Sequence, residues 1–358
     1  MNVSSRYQNF FALLRYSLGV DEIFEYRLAA EDWTWMREEA IRQGLVGVLY
    51  MGIKKMPEDL RPPRLLLMQW AFDAENIRGT NQKVNAVAVK LTQMFKERGQ
   101  ESVILKGPAN ALLYPDPFAR GCGDVDIMLP GGRDSVIKLL TEMGLMEGAT
   151  VNSLHAELAE SLFSVSVEVH YVASNTYSPF QNRRMHRFLT DEFSCYTETS
   201  AGFCVPSARY AMIMQLAHIK IHFFSVGIGL RQLIDYYFVL KSSSEDERSE
   251  VSELLKKFGL YHMAQAVMWL LEKVLHLEKP YELCKPDERR GKMLLQIALN
   301  GGNFGAFDES AGGSIFKLLI KHYARVPRLL RFDLSDELWR EIGWPKDALK
   351  GALQLKKK

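Results

Sequence analysis

Gly123-Asp124-Val125-Asp126-Ile127-Met128-Leu129 is the stretch on which the reading of this chain turns. In an extended strand successive side chains point to opposite faces and residues two apart share one. Asp124 and Asp126 therefore project together, while Val125 and Ile127 enter the core. Two carboxylates so close repel unless a cation lies between them, and hard carboxylate oxygens suit magnesium or manganese. An isolated Asp-x-Asp at a strand edge is ordinary solvated loop chemistry; here the neighbouring residues add to it. Upstream, Ser102-Val-Ile-Leu-Lys106 reads as a short buried strand delivered into the breaker Gly107-Pro108, with a helix predicted from Pro108 to Tyr114. Backbone amides freed at Gly107 and the positive end of that helix can meet a polyphosphate, and Lys106 adds charge. The intervening loop, Pro115 to Gly123, carries Arg120, either a bidentate phosphate contact or a solvated loop arginine.

Further along, Ser161 to Val172 alternates apolar and polar residues with period two and reads as a third strand. Glu168 faces away from Val167 and Val169, so if this strand lies beside the Asp124 strand it adds a third carboxylate to the same face. Three carboxylates can hold two cations, one activating an attacking hydroxyl and the other bridging the leaving phosphates. His170 shares the Glu168 face, as a supporting partner or an ordinary exposed strand histidine.

Outward from this segment the chain is helical. Residues 1–98 carry apolar side chains at three- and four-residue intervals, with Asp32 a candidate cap for a helix ending at Gly44, Pro62-Pro63 a turn, and a long helix from about 64 to 98. Another helix is predicted from 133 to 143. After Pro206 helices are predicted near 208–222, with Ser207 as cap, and near 228–241, 245–257 and 261–276, the run Lys241-Ser-Ser-Ser-Glu-Asp-Glu being a solvated linker. Three parts result: a helical lead-in at 1–98, an α/β core at 99–205 and a helical C-terminal domain at 206–358. His218 and His222 share a helix face, which permits a metal or nucleotide contact, core or cleft histidines being the plainer reading. Arg231 and Asp235 have the spacing of a helix-surface ion pair, although a cleft-facing position would make them substrate contacts. Segments 300–305 and 311–314 are Gly-rich and bracket poorly structured surface. Phe316 to Arg331 reads as a cationic amphipathic helix, suited to packing on the domain or to an acidic partner, nucleic acid or a membrane surface, and Lys356 to Lys358 as a disordered tail.

The composition is that of a globular protein: 358 residues, 47% hydrophobic and 25% charged, are neither disordered nor fibrous. Forty-five Lys and Arg against 43 Asp and Glu leave a net charge of +2, too near balance for a global nucleic-acid footprint. Nucleic acid is thus a possible partner but not a favoured one. Cys122, Cys195, Cys204 and Cys284 contain no CxxC pair, which argues against structural zinc and a disulfide framework and for a reducing cytoplasm. No transmembrane segment and no secretory signal is expected, Arg209, Lys220 and Arg231 interrupting the most apolar region.

The string Val-Ile-Leu-Lys106-Gly107-Pro-Ala-Asn-Ala-Leu-Leu-Tyr114-Pro115, then Arg120, Gly123-Asp124-Val-Asp126 and Glu168-Val-His170, resembles the bacterial uncharacterised nucleotidyltransferase family of the DNA polymerase beta-like superfamily. The likeness runs from about residue 25 to 245. It implies an α+β fold: a small mixed sheet flanked by helices, with the helical lead-in before it and the helical C-terminal domain after it. It also implies an ATP-like NTP donor, two Mg2+ or Mn2+ ions, and transfer of a nucleoside monophosphate to a hydroxyl of a small molecule or protein, releasing pyrophosphate. By the same resemblance Asp124 and Asp126 are the metal-binding pair and Glu168 is the third carboxylate, which can also serve as general base; the residues' own chemistry offers Lys106, Gly107, Arg120 and Gly123 as the nucleotide contacts. Better-known superfamily members carry Gly-Ser at the first turn, where this chain has Lys106-Gly107. That departure motivates an alternative, a non-catalytic nucleotide-binding or regulatory interaction protein with the same fold.

Overall fold

The computed structural model describes residues 4–225, 227–302 and 315–343. Helices α1 (Ser5–Leu18), α2 (Ala30–Gln43), α3 (Val46–Lys55) and α4 (Arg64–Lys96) lead into the sheet. The strands are β1 (Val103–Ile104), β2 (Asp124–Met128), β3 (Thr150–Val151), β4 (His155–Leu158) and β5 (Ser166–His170), with α5 (Pro108–Ala111) and α6 (Gly132–Glu142) between them. Helix α7 (Pro179–Glu192), a hairpin of β6 (Thr197–Glu198) and β7 (Cys204–Val205), and helices α8 (Ala208–Phe224), α9 (Leu230–Ser242), α10 (Glu245–Leu254), α11 (Tyr261–Leu275), α12 (Glu288–Gly301) and α13 (Ile315–Phe332) follow. Residues 334–343 are helical as well. The architecture is α+β, mostly helical around a five-stranded mixed sheet of order β1-β2-β5-β4-β3. Only β2 and β5 run parallel; the other neighbours are antiparallel.

The alternation read from the sequence governs the sheet. Val125, Ile127, Val167 and Val169 are fully buried and form one cluster with Val84, Ala88 and Leu91 of α4 and Val136 and Leu140 of α6. Each helix buries the stripe its periodicity supplies, which covers the apolar face of the sheet and leaves its polar face toward α8 and α9. A second cluster unites the two ends of the chain: Phe10, Leu14, Trp33, Met36 and Leu49 pack with Ile213, Tyr236 and Leu271. Buried Gln43 joins these parts, donating to the Ala298 carbonyl at 3.0 Å and accepting from the Leu230 amide at 2.9 Å.

Several expectations change. The sequence reading does not include strands β3, β4, β6 and β7 or helices α7 and α12, and α12 carries Asn300 and Gly301, expected in poorly structured surface, in its last turn. His155-Ala156-Glu157-Leu158 is short and rich in helix formers, and becomes a strand because β5 offers it a ladder. Asp32 does not cap its helix; α2 begins at Ala30, and Asp32 lies in the first turn, paired with Arg6. The predicted linker at 241–247 is a tight helix junction, in which Ser244 caps α10 and buried Arg248 holds the Ser243 carbonyl. Ser207 does cap α8, accepting from the Tyr210 amide. All four cysteines are free thiols. The basic helix, α13, packs on the body through Leu329 and Phe332, and Arg325 and Arg328 donate to carbonyls of Phe223 and Met293. The Gly-rich residues 303–305 and 311–314 and the Lys356 to Lys358 tail lie outside the described residues. No helix among the described residues is long and apolar enough to cross a membrane.

The loop entering β2 is clamped from behind. Asn81 of α4 donates to the carbonyls of Phe118 and Arg120 at 2.7 and 2.9 Å and accepts from the Cys122 amide at 2.9 Å. Gly47 of α3 meets the same loop so closely that an added Cβ would lie 2.3 Å from the Ala119 carbonyl oxygen. Gly47→Ala is expected to cost about 1–3 kcal/mol by overpacking. Gly79→Ala, in open space on α4, should instead add roughly 0.5–1 kcal/mol from reduced chain entropy. Urea unfolding of the two variants checks the contrast; equal effects would contradict it.

Candidate active site

The Leu105 amide donates to the Asp126 carbonyl at 2.9 Å, so Lys106 leaves β1 alongside Asp126. The chain then turns at Gly107 with φ +53° and ψ −108°, a left-handed region unfavourable to any side chain, and an added Cβ would sit 3.3 Å from the Asp124 carbonyl oxygen. The positive φ selects glycine, and the close carbonyl adds to that preference. Helix α5 is one turn, shorter than the predicted Pro108 to Tyr114; Leu113 and Tyr114 continue it with amide bonds three residues back, to Asn110 and Ala111. Gly123 is not under this constraint, since an added Cβ there would meet nothing within 4 Å.

In the parallel pair, Asp124 lies opposite Ser166, Asp126 opposite Glu168 and Met128 opposite His170. Paired residues point to the same face, so Asp124, Asp126, Glu168 and His170 are brought together. Asp126 Oδ1 receives Lys106 Nζ at 3.0 Å and His170 Nε2 at 2.9 Å, and the same imidazole nitrogen lies 3.2 Å from Glu168 Oε2. Asp126 and His170 are almost completely buried. Burial alone would raise the Asp126 carboxyl, but Lys106 and His170 outweigh it and hold the group far below the carboxylate range. Asp124 behaves oppositely: burial and the charge of Asp126 push it up. For Lys106 burial opposes the charged form, yet the carboxylates of Asp126, Asp124 and Glu168 raise it above its ordinary value. His170 is also raised, its bonds to Asp126 and Glu168 exceeding the effect of burial. The face is thus a concentrated negative site compensated by a lysine and a histidine.

Sequence reasoning missed His155. Its Nδ1 lies 3.2 Å from Glu168 Oε2, and its Nε2 faces the Asn152 side chain at 2.7 Å. The signal was there: Ala156 and Leu158 are buried while His155 and Glu157 alternate with them.

Helices α8 and α9 form the opposite wall. A cleft between them and the sheet is lined by Lys106, Asp124, Asp126, His218, Arg231 and Gln232, among others. Asn110 and Gln215 exchange hydrogen bonds through their amides at 2.7 and 3.3 Å across its floor. His218 faces this cleft; burial, followed by the charge of Lys106, keeps it well below its ordinary value, and the same causes bring His222 to about 4. Both are neutral at pH 7. Among the described residues neither joins a group of three metal-ligating side chains.

Arg120 and Asp235 depart most from expectation. Asp235 does not form the predicted surface pair with Arg231. It is buried and takes Arg120 in a two-pronged ion pair, Nε to Oδ1 at 3.0 Å with Nη2 on Oδ2, and accepts the Tyr114 hydroxyl at 2.7 Å. Arg120 lines the cleft, but its guanidinium is directed at Asp235 and locks the β2 loop to α9. Arg231 instead donates to the Gly121 carbonyl at 2.7 Å and is pushed down by burial and by Arg120. The helical i,i+4 rule finds only partners on one helix; Arg120 was far away in sequence.

A family model described as uncharacterised nucleotidyltransferase matches residues 29–276, more than half of the chain. No curated protein matches.

Two outcomes are expected from this geometry. Asp235→Ala leaves a buried guanidinium without its carboxylate and should lose about 3–5 kcal/mol in denaturant unfolding; a loss below roughly 1 kcal/mol would contradict the account. The second concerns His170 in EDTA. Since its value is raised above 6.5 in the folded chain, its stabilisation is complete below that pH and is lost as pH rises through the raised value. Melting curves between pH 6 and 9 should therefore fall with pH more steeply in the wild type than in His170→Gln, and parallel curves would refute the pairing.

Proposed function

Because the chain belongs to the uncharacterised nucleotidyltransferase family, we propose that it moves a nucleoside monophosphate from an NTP, ATP in the first instance, to an acceptor hydroxyl. The observation that carries this reading is the convergence of Asp124, Asp126 and Glu168 on one face of two parallel strands, beside the Lys106-Gly107 turn.

The donor set fits divalent cations. Three carboxylates share the face, and Asp126 already draws the Lys106 ammonium and the His170 imidazole to one oxygen. Asp124, Asp126 and Glu168 would hold two Mg2+ or Mn2+ ions, which when bound neutralise phosphate charge and acidify the attacking hydroxyl. The residues supply the rest. Glu168, with 26% of its side chain exposed where Asp126 has 3%, takes the proton of the acceptor hydroxyl. The acceptor oxygen forms its bond to the α-phosphorus as the bond to pyrophosphate breaks, and the pyrophosphate leaves with the electron pair. Lys106, at the mouth of the Gly107 turn, has the charge and reach to meet the triphosphate once Asp126 has another cation. Neutral His218 and the amides of Gln215 and Gln232 line the cleft opposite without adding charge.

The bond between Lys106 and Asp126 favours a second reading, in which the face binds nucleotide without turnover as part of a regulatory interaction protein. One experiment separates the two. Calorimetric titration with ATP and a non-hydrolysable analogue, each with Mg2+ or Mn2+, is expected to show metal-dependent binding in the wild type and none in the Asp124→Ala, Asp126→Ala variant. With a panel of hydroxyl acceptors and α-labelled ATP, each single variant is expected to lose transfer by about 10³-fold or more. Normal transfer by either variant would sink the metal assignment, and metal-independent binding without transfer would select the second reading.

A further inference from the structure

His170 stands in a position that an ordinary strand histidine does not need. Its Nδ1 faces the Val172 carbonyl at 3.3 Å, while its Nε2 faces Asp126 Oδ1 at 2.9 Å and Glu168 Oε2 at 3.2 Å. Both ring nitrogens therefore meet only acceptors. The carbonyl takes the Nδ1 proton, which leaves Nε2 to present either a second proton or a bond to a cation. A ring nitrogen whose partner nitrogen is anchored on a backbone carbonyl is how metal-binding histidines are commonly oriented. The spacing agrees: a six-coordinate ion with bonds of roughly 2.1 Å sets neighbouring donors roughly 3.0 Å apart, against the 2.9 and 3.2 Å found here.

His155 makes the contrast. The Asn152 side-chain oxygen accepts from the amides of Leu154 and His155 at 2.7 and 3.0 Å, which fixes its nitrogen as the group facing His155 Nε2. That nitrogen donates, so His155 Nε2 accepts, while the buried Nδ1 lies 3.2 Å from Glu168 Oε2 without a hydrogen bond. His155 Nε2 is thus already taken by Asn152, whereas His170 Nε2 faces the carboxylates themselves; both rings lie in the same cluster of ligating side chains.

We infer that His170 Nε2, with Asp126 and Glu168, forms a mixed nitrogen and oxygen face for a first-row transition-metal ion, Mn2+ before Mg2+. The inference rests on the reading of Asp126 and Glu168 as metal ligands and specifies which ion that site selects. Magnesium is served by oxygen donors, whereas an imidazole nitrogen shifts preference toward the transition series. Binding needs no redox step: the ion takes the place of the Nε2 proton, which is released to solvent.

The test is electron spin-echo spectroscopy of the Mn2+ complex of the full chain, made with natural-abundance and with 15N-histidine-labelled protein. The expected result is a 14N modulation that converts to 15N on labelling, persists in His155→Gln and disappears in His170→Gln. Calorimetry should show the His170→Gln variant losing about tenfold or more in Mn2+ affinity, with Mg2+ affinity changed less. Circular dichroism establishes that the variant is folded, and the labelling result does not depend on any variant. Mn2+ bound in an Asp126-dependent way with no nitrogen modulation would overturn the His170 assignment and leave the carboxylate site standing. A modulation that survives in His170→Gln would overturn it as well. No Mn2+ binding by the wild type would remove the carboxylate reading and this inference together.

Discussion

The parallel pairing of β2 with β5 places Asp126 beside Glu168, and the resulting negative charge is the constraint on which the rest depends. A carboxylate as buried as Asp126 is tolerated only when compensated. Lys106 and His170 do so from two sides, one from the turn after β1 and the other from β5 itself. The position of Gly107 follows, since the positive φ of the turn selects a residue without Cβ, close to the Asp124 carbonyl. The apolar side of the same strands, against α4 and α6, anchors the charged face.

The surrounding helices hold this face to its cleft by long-range polar contacts. Asn81 fixes the loop that enters β2, and Arg120 carries that loop to Asp235 on α9, where Tyr114 completes the carboxylate's bonds. Removing one member of such a buried set leaves the others unsatisfied, so these residues act as a unit. The N-terminal helices take part as well, because Gln43 connects α2 to both α9 and α12. The cleft is lined by residues between Lys106 and Asp235, while the contacts that brace its walls reach into the N-terminal helices and α12.

Much of the face was legible from residue alternation alone. Val125 and Ile127 against Asp124 and Asp126, and Val167 and Val169 against Glu168, follow the period of two that a half-buried strand imposes. What linked the two strands, their parallel register, is a tertiary fact that the pattern allowed without requiring. His155 escaped notice because β4 is short and carries residues that favour helix elsewhere. Arg120 and Asp235 were misplaced for a different reason: a local spacing rule assigned Asp235 to Arg231, while burial and a two-pronged geometry joined it to a distant loop. Helix boundaries fared better where a cap or a breaker marked them, as at Ser207, Gly44 and Pro63.

The central claim is that the Asp124, Asp126 and Glu168 face receives divalent metal together with nucleotide. Anomalous diffraction from crystals grown with Mn2+ and a non-hydrolysable ATP analogue tests it most directly. The account predicts the strongest anomalous peaks among these three carboxylates, with the triphosphate beside the Lys106-Gly107 turn. Peaks confined to other places, with Asp126 still bonded to Lys106 and His170 while nucleotide is bound, would contradict it.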